Sequence, residues 1–328
     1  MTEPVSYILP IRSDTPATAP ELRAYIEWIA ARADVIVVDG SDAPIFAAHE
    51  REWGSLVHHV PPAPDLISPM GKVGGVLTGL REASHERCII ADDDVRYDER
   101  SLAQVIEALA TAHVVRPQNY FEPLPWHARW DTGRMLLNRL TGGDWPGTLG
   151  VRRSILQATN GYDGSVMFEN LELVRTVLAA GGREAVLLGA YVHRRPSTAR
   201  HFWGQRVRQA YDEIARPARF AIQLAILPIV LALAISRQWL AIAILAAAVT
   251  LAAEIGRGRE GGRRVFPPAT SLFAPLWLAE RALCSWLALG ARIVLGGVPY
   301  RGTILHHAAT PMRVLRLRHA TLAPRRSA

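Results

Sequence analysis

The sequence predicts an α/β fold: a sheet with helices on both faces, followed by apolar helices suited to a membrane. Three observations carry this. Over roughly the first 200 residues, short apolar runs alternate with helical patterns; acidic clusters close two of those runs; and from about residue 216 the chain turns apolar and basic. At 328 residues the chain exceeds the ~250 at which single cores stop growing, so more than one domain is expected. An apolar content of 49% with 20% charged residues excludes a disordered or fibrous chain.

The strand candidates are 5–11, 35–38, 56–60, 88–91 and 112–115, and helical patterns fill 20–33, 73–83 and 102–110 between them. That alternation argues for an open, mostly parallel sheet, which takes ligands in the loops at the carboxyl ends of its strands. The expected domains are 1–215 for this sheet, 216–256 for a helical hairpin, and 257–328 for a basic loop, a further apolar helix and a basic tail.

In the hairpin, the apolar runs 220–235 and 239–253 are separated only by Ser236-Arg237-Gln238. Each spans ~23 Å as a helix against ~30 Å of hydrocarbon, and each becomes long enough if Arg219 and Arg237 snorkel from the ends. A transmembrane pair is the reading; a buried helix pair in a soluble core is the alternative. The loop 257–264 carries Arg257, Arg259, Arg263 and Arg264 and belongs on the cytoplasmic side, against anionic lipid. The stretch 270–295 holds Pro275, Glu280, Arg281 and Arg292, so it is expected to lie in the interface, with a third crossing as the alternative. Two crossings return the basic tail to the cytosolic side of the cell membrane, beside the N-terminal domain. The net charge of +7 gathers in this half, around apolar runs and away from stacking aromatics, so lipid phosphate and not nucleic acid is the expected partner. Cys88 and Cys284 are too few for a disulfide framework or structural zinc, and no signal peptide is expected at the N-terminus.

No Gly-rich dinucleotide loop, P-loop, zinc-protease helix or serine-hydrolase elbow occurs; Pro10-Ile-Arg-Ser-Asp14 follows the first strand instead. The second strand ends in Asp39-Gly40-Ser41-Asp42, where a carboxylate suits a base or ribose but equally well caps a helix. The run 88–91 ends in Asp92-Asp93-Asp94. Three successive carboxylates repel one another and call for a cation; Mg²⁺ or Mn²⁺, shared with a diphosphate, is the natural one, whereas a capped turn explains one aspartate only. Lys72 is the single lysine among 37 basic residues, and its compact ammonium suits a diphosphate, though chance survival would also leave one. His58-His59 and His306-His307 read as surface or loop pairs without carboxylate neighbours at ligand spacing, and no metal is assigned to them.

In order, VSYILPIRSD, VIVVDGSD, GKVGGVLTGL and CIIADDDVRYDERSL, then Gly147 to Arg153, Gly161-Tyr-Asp163, Phe168 to Leu173 and Gln205-Arg-Val-Arg208-Gln209, resemble the family 2 inverting glycosyltransferases of the GT-A fold over about residues 3–215. The hairpin and Gly296 to Gly302 are similar to the lipid-directed branch, which includes ceramide- and hopanoid-type glucosyltransferases. The resemblance implies a nucleotide-sugar donor, most readily a UDP-sugar, bound by Pro10, Arg12, Asp39, Ser41, Lys72, Asp92, Asp93, Gln205 and Arg208, with Asp39 on the nucleobase. It implies metal at Asp92 and Asp94, a lipid acceptor, and Arg208 neutralising the leaving diphosphate. Where the family has a Glu-Asp pair whose aspartate is the general base, this chain has Glu169-Asn170; Glu169 becomes the base and Glu172 the reserve, unless both are ordinary surface glutamates. Gln209 stands where the family has tryptophan. Two alternatives stay open: a polyprenyl-phosphate acceptor, which needs little base catalysis, and a non-catalytic membrane scaffold.

Overall fold

The structure is a computed structural model and describes residues 3–15 and 20–322. In chain order the elements are β1 (Ser6–Ile11), α1 (Pro20–Ala30), β2 (Asp34–Asp39), α2 (Ala43–Trp53), β3 (His58–Val60), α3 (Gly71–Glu82), β4 (Arg87–Ala91), β5 (Val95–Arg96), α4 (Glu99–Ala108) and β6 (Val114–Phe121). Then come α5 (Trp126–Leu140), β7 (Thr148–Arg152), α6 (Arg153–Ala158), α7 (Glu169–Ala179), β8 (Glu184–Arg194), α8 (Ala199–Gly204) and α9 (Arg206–Tyr211). The chain ends with α10 (Pro217–Ile235), α11 (Trp239–Gly258), α12 (Ala274–Leu295), β9 (Val298–Tyr300), β10 (Thr303–Leu305) and α13 (Met312–Arg318). The α/β class and the apolar C-terminal helices are as expected.

Two compact units divide the chain: residues 1–117, 146–186 and 310–328 form one, and 118–145 with 187–309 the other. The sheet order is β3-β2-β1-β4-β7-β6-β8-β5. In the first unit β3, β2, β1 and β4 are parallel, with Ile11 opposite Asp39. The expected mostly parallel sheet is corrected beyond β4: β7 runs antiparallel to both β4 and β6. Periodicity reports which face of a strand is buried, not which way its neighbour runs. Helix α2 escaped the pattern reading because its buried face is His49 and Trp53, not aliphatic residues.

Val5, Tyr7, Ile8, Leu9 and Val35 to Val38 are all buried, as near-continuous apolar strands covered on both faces should be. Helix α3 lies directly on β1: a Cβ at Gly75 would sit 2.9 Å from Pro10 Cβ, too close for any side chain. Helix α4 starts in a capping box, the Asp98 carboxylate accepting from the Ser101 amide while the Ser101 hydroxyl accepts from the Asp98 amide.

In the second unit, Met135, Leu136, Ala253, Phe266 and Ala274 form a core, and α5 approaches the start of α12 so closely that a Cβ at Gly133 would stand 2.8 Å from the Ala274 amide. Among the described residues three segments are long and apolar enough to cross a membrane: Pro217–Ile235, Trp239–Arg264 and Pro268–Leu295. Many of their large apolar side chains stay exposed, Ile235 at 83% and Leu240 at 74%. Helix α12 is two-faced: Trp277, Arg281, Ser285 and Ala288 are buried, while Leu276, Leu283, Leu287 and Val294 are exposed.

Candidate active site

The carboxyl edge of the parallel strands gathers charge from three distant stretches of sequence. Lys72 is the second residue of α3, so its stem leaves the first turn of the helix that Gly75 seats against β1. Its ammonium donates to Asp92 Oδ1 at 2.6 Å and to Glu169 Oε1 at 2.8 Å. Asp92 follows β4 directly, and its amide donates to the Gly147 carbonyl at 2.8 Å, which fixes the turn. Glu169 opens α7. Burial alone would push the Lys72 ammonium down; the charges of Asp92 and Glu169, and hydrogen bonds to both, hold it well above the usual lysine range. Asp93 is exposed and Asp94 half-buried in the same turn. Asn170 is turned elsewhere: its Nδ2 donates to the Pro146 carbonyl at 3.2 Å. Pattern reading named Lys72, Asp92 and Glu169 separately; the structure brings them together. It adds Tyr162, a buried neighbour whose hydroxyl is pushed well above its usual value by burial and by the charges of Glu169 and Asp92.

The donors this turn offers are carboxylate oxygens, which fit a hard divalent ion such as Mg²⁺ or Mn²⁺. Among the described residues no three acidic, histidine or cysteine side chains form a preformed cage. An ion here would take the rest of its coordination from a ligand, as a diphosphate would supply it.

Asp39 sits at the end of β2, but its carboxylate is buried, 1% exposed. Oδ1 accepts from the Ser41 amide at 2.8 Å, and Oδ2 meets His49 Nδ1 at 2.6 Å and His59 Nε2 at 3.3 Å. The far nitrogen of His59, Nδ1, lies 2.6 Å from Glu50 Oε2. Burial would raise Asp39, yet the hydrogen bonds from His59, Ser41 and His49 outweigh it and hold the carboxyl far below the usual range. Burial would lower His59, yet its bonds to Asp39 and Glu50 outweigh that and raise it. The surface reading of His58-His59 is therefore corrected for one of the pair. The His58 side chain is 51% exposed and that of His59 is fully buried, because successive residues of β3 point to opposite faces. Asp39 thus organises its loop from beneath, and the Ser41 hydroxyl accepts from the Ser13 amide at 2.8 Å. Exposed Arg12, half-buried Pro10 and half-buried Ser41 are what this corner presents outward.

Glu172 goes to another place. It is 0% exposed, and Oε2 accepts from the Thr310 amide at 2.6 Å while Oε1 has no partner. Its carboxyl is raised, burial outweighing the Thr310 bond. Arg175, one turn on, donates to the Thr310 carbonyl at 3.1 Å. Glu172 anchors the C-terminal segment through Thr310, a contact that its three-residue spacing from Glu169 did not indicate.

Gln205 and Arg208 belong to the second unit. Gln205 contacts His201, and the Arg208 guanidinium lies 5.7 Å from the centre of the Tyr300 ring. Their neighbour Arg206 is buried and donates to Asp131 Oδ1 at 3.1 Å, to Glu280 Oε2 at 2.9 Å and to Gln209 Oε1 at 2.8 Å. Arg281 reaches the same Gln209 oxygen at 3.2 Å. The Gln209 side-chain oxygen thus accepts from both arginines. Asp131 also takes a fork from Arg134, Nε to Oδ1 at 3.1 Å and Nη2 to Oδ2 at 2.9 Å. Nothing in the spacing of the sequence pointed to this network.

No family model matches the chain, and no curated protein does. Among solved structures, a mannosyltransferase from Pyrobaculum calidifontis, in complex with GDP-Man and Mn²⁺, aligns over 97% of this chain and 84% of its own, at 18% identity and a TM-score of 0.47.

Proposed function

We propose that this chain is a membrane-bound glycosyltransferase of the GT-A, family 2 type, moving a sugar with inversion from a nucleotide-diphosphate sugar, most readily a UDP-sugar, to a lipid hydroxyl. The observation that carries the reading is the meeting of Lys72, Asp92 and Glu169 at the carboxyl edge of a parallel sheet, although Lys72 and Glu169 are 97 residues apart in sequence. An anion-binding lysine, a carboxylate turn and a further carboxylate in one place are the parts that diphosphate departure and proton removal require. Asp92 and Asp94 would hold a Mg²⁺ or Mn²⁺ ion, which when bound supplies positive charge to the leaving diphosphate. Lys72 orients the donor's phosphates and Glu169 accepts the acceptor's hydroxyl proton, while Asp39, fixed from below by His49 and His59, holds the Ser41 loop in shape for the nucleoside. The roles of Gln205 and Arg208 rest on their motif.

A membrane location, and with it a lipid acceptor, is supported by the apolar helices, and the cytosolic face by the arginines that flank them. Residues 310–322 pack in the same unit as most of the N-terminal sheet, held by Glu172. A chain that leaves and returns to one side crosses an even number of times. Of the three long segments, α10 and α11 carry no charge between Phe220 and Ala253 except Arg237 in their connection, whereas α12 has one polar buried face and one apolar exposed face. Two crossings with α12 in the interface satisfy both facts.

Asn170 favours a second reading, transfer to a polyprenyl phosphate, because an amide that donates to Pro146 accepts no proton and a phosphate acceptor asks for none. The test is incubation of the purified full chain with labelled nucleotide-sugars, Mn²⁺ and a lipid extract. Label entering a lipid that survives mild acid supports the hydroxyl reading, label in an acid-labile lipid phosphate supports the second, and no transfer or hydrolysis with any common donor defeats both.

A further inference from the structure

We infer that Lys72 stands in for the divalent cation while the site holds no donor, so that metal and nucleotide enter together and Glu169 is released as they do; this rests on the donor-site reading above. The ammonium joins Asp92 at 2.6 Å to Glu169 at 2.8 Å, and the three side chains are only 21%, 22% and 12% exposed. One positive charge therefore ties the turn that would hold the metal to the residue that would take the acceptor's proton.

A divalent ion bound through Asp92 would meet that ammonium at close range in a partly dehydrated site, where like charges repel strongly. Bare metal must displace the lysine or forgo Asp92, and binds weakly either way. A nucleoside diphosphate reverses this, because its oxygens give the ammonium another anionic partner and bring the negative charge the ion needs. Lysine suits such an exchange better than arginine: a point charge on a rotating four-carbon stem swings between anions, whereas a planar fork is committed to one geometry. That is a physical reason for a lysine here in a chain whose other basic residues are arginine. Glu169 follows the same switch. While Lys72 grips Oε1 that oxygen is engaged, and the grip is lost when the ammonium moves to the phosphates, with the donor already in place.

The coupling is reciprocal by linkage, so it is measurable from the metal side. The full chain, in detergent, is titrated with Mn²⁺ while the resonance signal of the free ion is followed, alone and with saturating UDP or GDP. The expected result is Mn²⁺ affinity at least tenfold higher with one of the nucleotides. Lys72→Met is expected to bind Mn²⁺ alone at least tenfold more tightly than the natural chain and to lose most of the nucleotide's effect, and Lys72→Arg to stay weak for Mn²⁺ alone. If Lys72→Met takes Mn²⁺ no more tightly while nucleotide still binds, or if the natural chain binds Mn²⁺ equally well with and without nucleotide, the stand-in role is overturned and the donor site stands. If no protein binds either ligand, both are overturned. Should Lys72→Met not fold, the titration of the natural chain decides alone.

Discussion

Glu172→Ala tests whether the C-terminal segment is held by one buried carboxylate. In the structure Oε2 accepts from the Thr310 amide at 2.6 Å, Thr310 is itself 9% exposed, and Leu315 beyond it is 1% exposed. A hydrogen bond to a charged group contributes about 1.5–3 kcal/mol, and its removal leaves a buried amide without a partner. Burial opposes this gain, since it raises the Glu172 carboxyl. The lower end, about 1.5 kcal/mol, is therefore the better figure, and it corresponds to roughly tenfold more of the opened segment. Trypsin reads that population directly at Arg313, Arg316 and Arg318 in α13, under conditions where reclosing outpaces cleavage. The expected outcome is about tenfold faster loss of the C-terminal peptide, with global unfolding shifted by a similar small amount. Glu172→Gln keeps an accepting oxygen without a charge to dehydrate, so it should cut no faster than the natural chain. The pH dependence has a definite sign: a carboxyl raised in the folded state contributes stability that is full below the ordinary glutamate value and is lost as pH rises through the raised one. Docking should therefore tighten on mild acidification. Cleavage of Glu172→Ala at the natural rate would refute the anchor, and with it the argument that both ends of the chain lie on one side.

Three further outcomes follow from the same geometry. Glu169→Gln should lower turnover onto a hydroxyl acceptor about 100-fold or more, with donor affinity little changed by isothermal titration; an unchanged rate would point to a phosphate acceptor. Asp131→Ala removes the carboxylate shared by Arg134 and Arg206 and should destabilise the protein by about 3–5 kcal/mol in urea unfolding. Burial works against Asp131, but those arginines hold it far below the usual carboxylate range. Its contribution should accordingly be full above the ordinary aspartate value and be lost progressively as pH falls below it. Cysteines placed at Arg237 and at Leu322 should react with a membrane-impermeant maleimide from opposite sides of sealed vesicles, the native Cys88 and Cys284 being buried; reaction from one side would exclude the hairpin.

Much of the sheet was readable because each strand's burial is local information: the run 88–91 ends where three aspartates begin, and β4 ends at Ala91. Lys72 and Asp92 were readable one at a time, since each breaks a local expectation, and Glu169 was named by the resemblance alone. Their meeting was not, because a periodicity carries no information on which loops share an edge. His59 shows the intermediate case: alternation along β3 separates it from His58, but that Asp39 and Glu50 lie on the buried side depends on how α2 packs. Glu172 marks the other extreme. Three residues from Glu169 on a helix suggests a shared face, yet the partner that decides its environment, Thr310, lies 138 positions away.

A molecule with a solitary ε-amine, lodged where its ligand is expected, carries its own occupancy gauge. Acylating reagents can add at most one lysine-borne label per chain, and since only the neutral amine reacts, peptide mass spectra of that adduct report how firmly Asp92, Glu169 or a bound anion holds the ammonium. Screening of sugar nucleotides needs no radioactivity on that basis: a compound that changes the yield of this one adduct has reached the pocket.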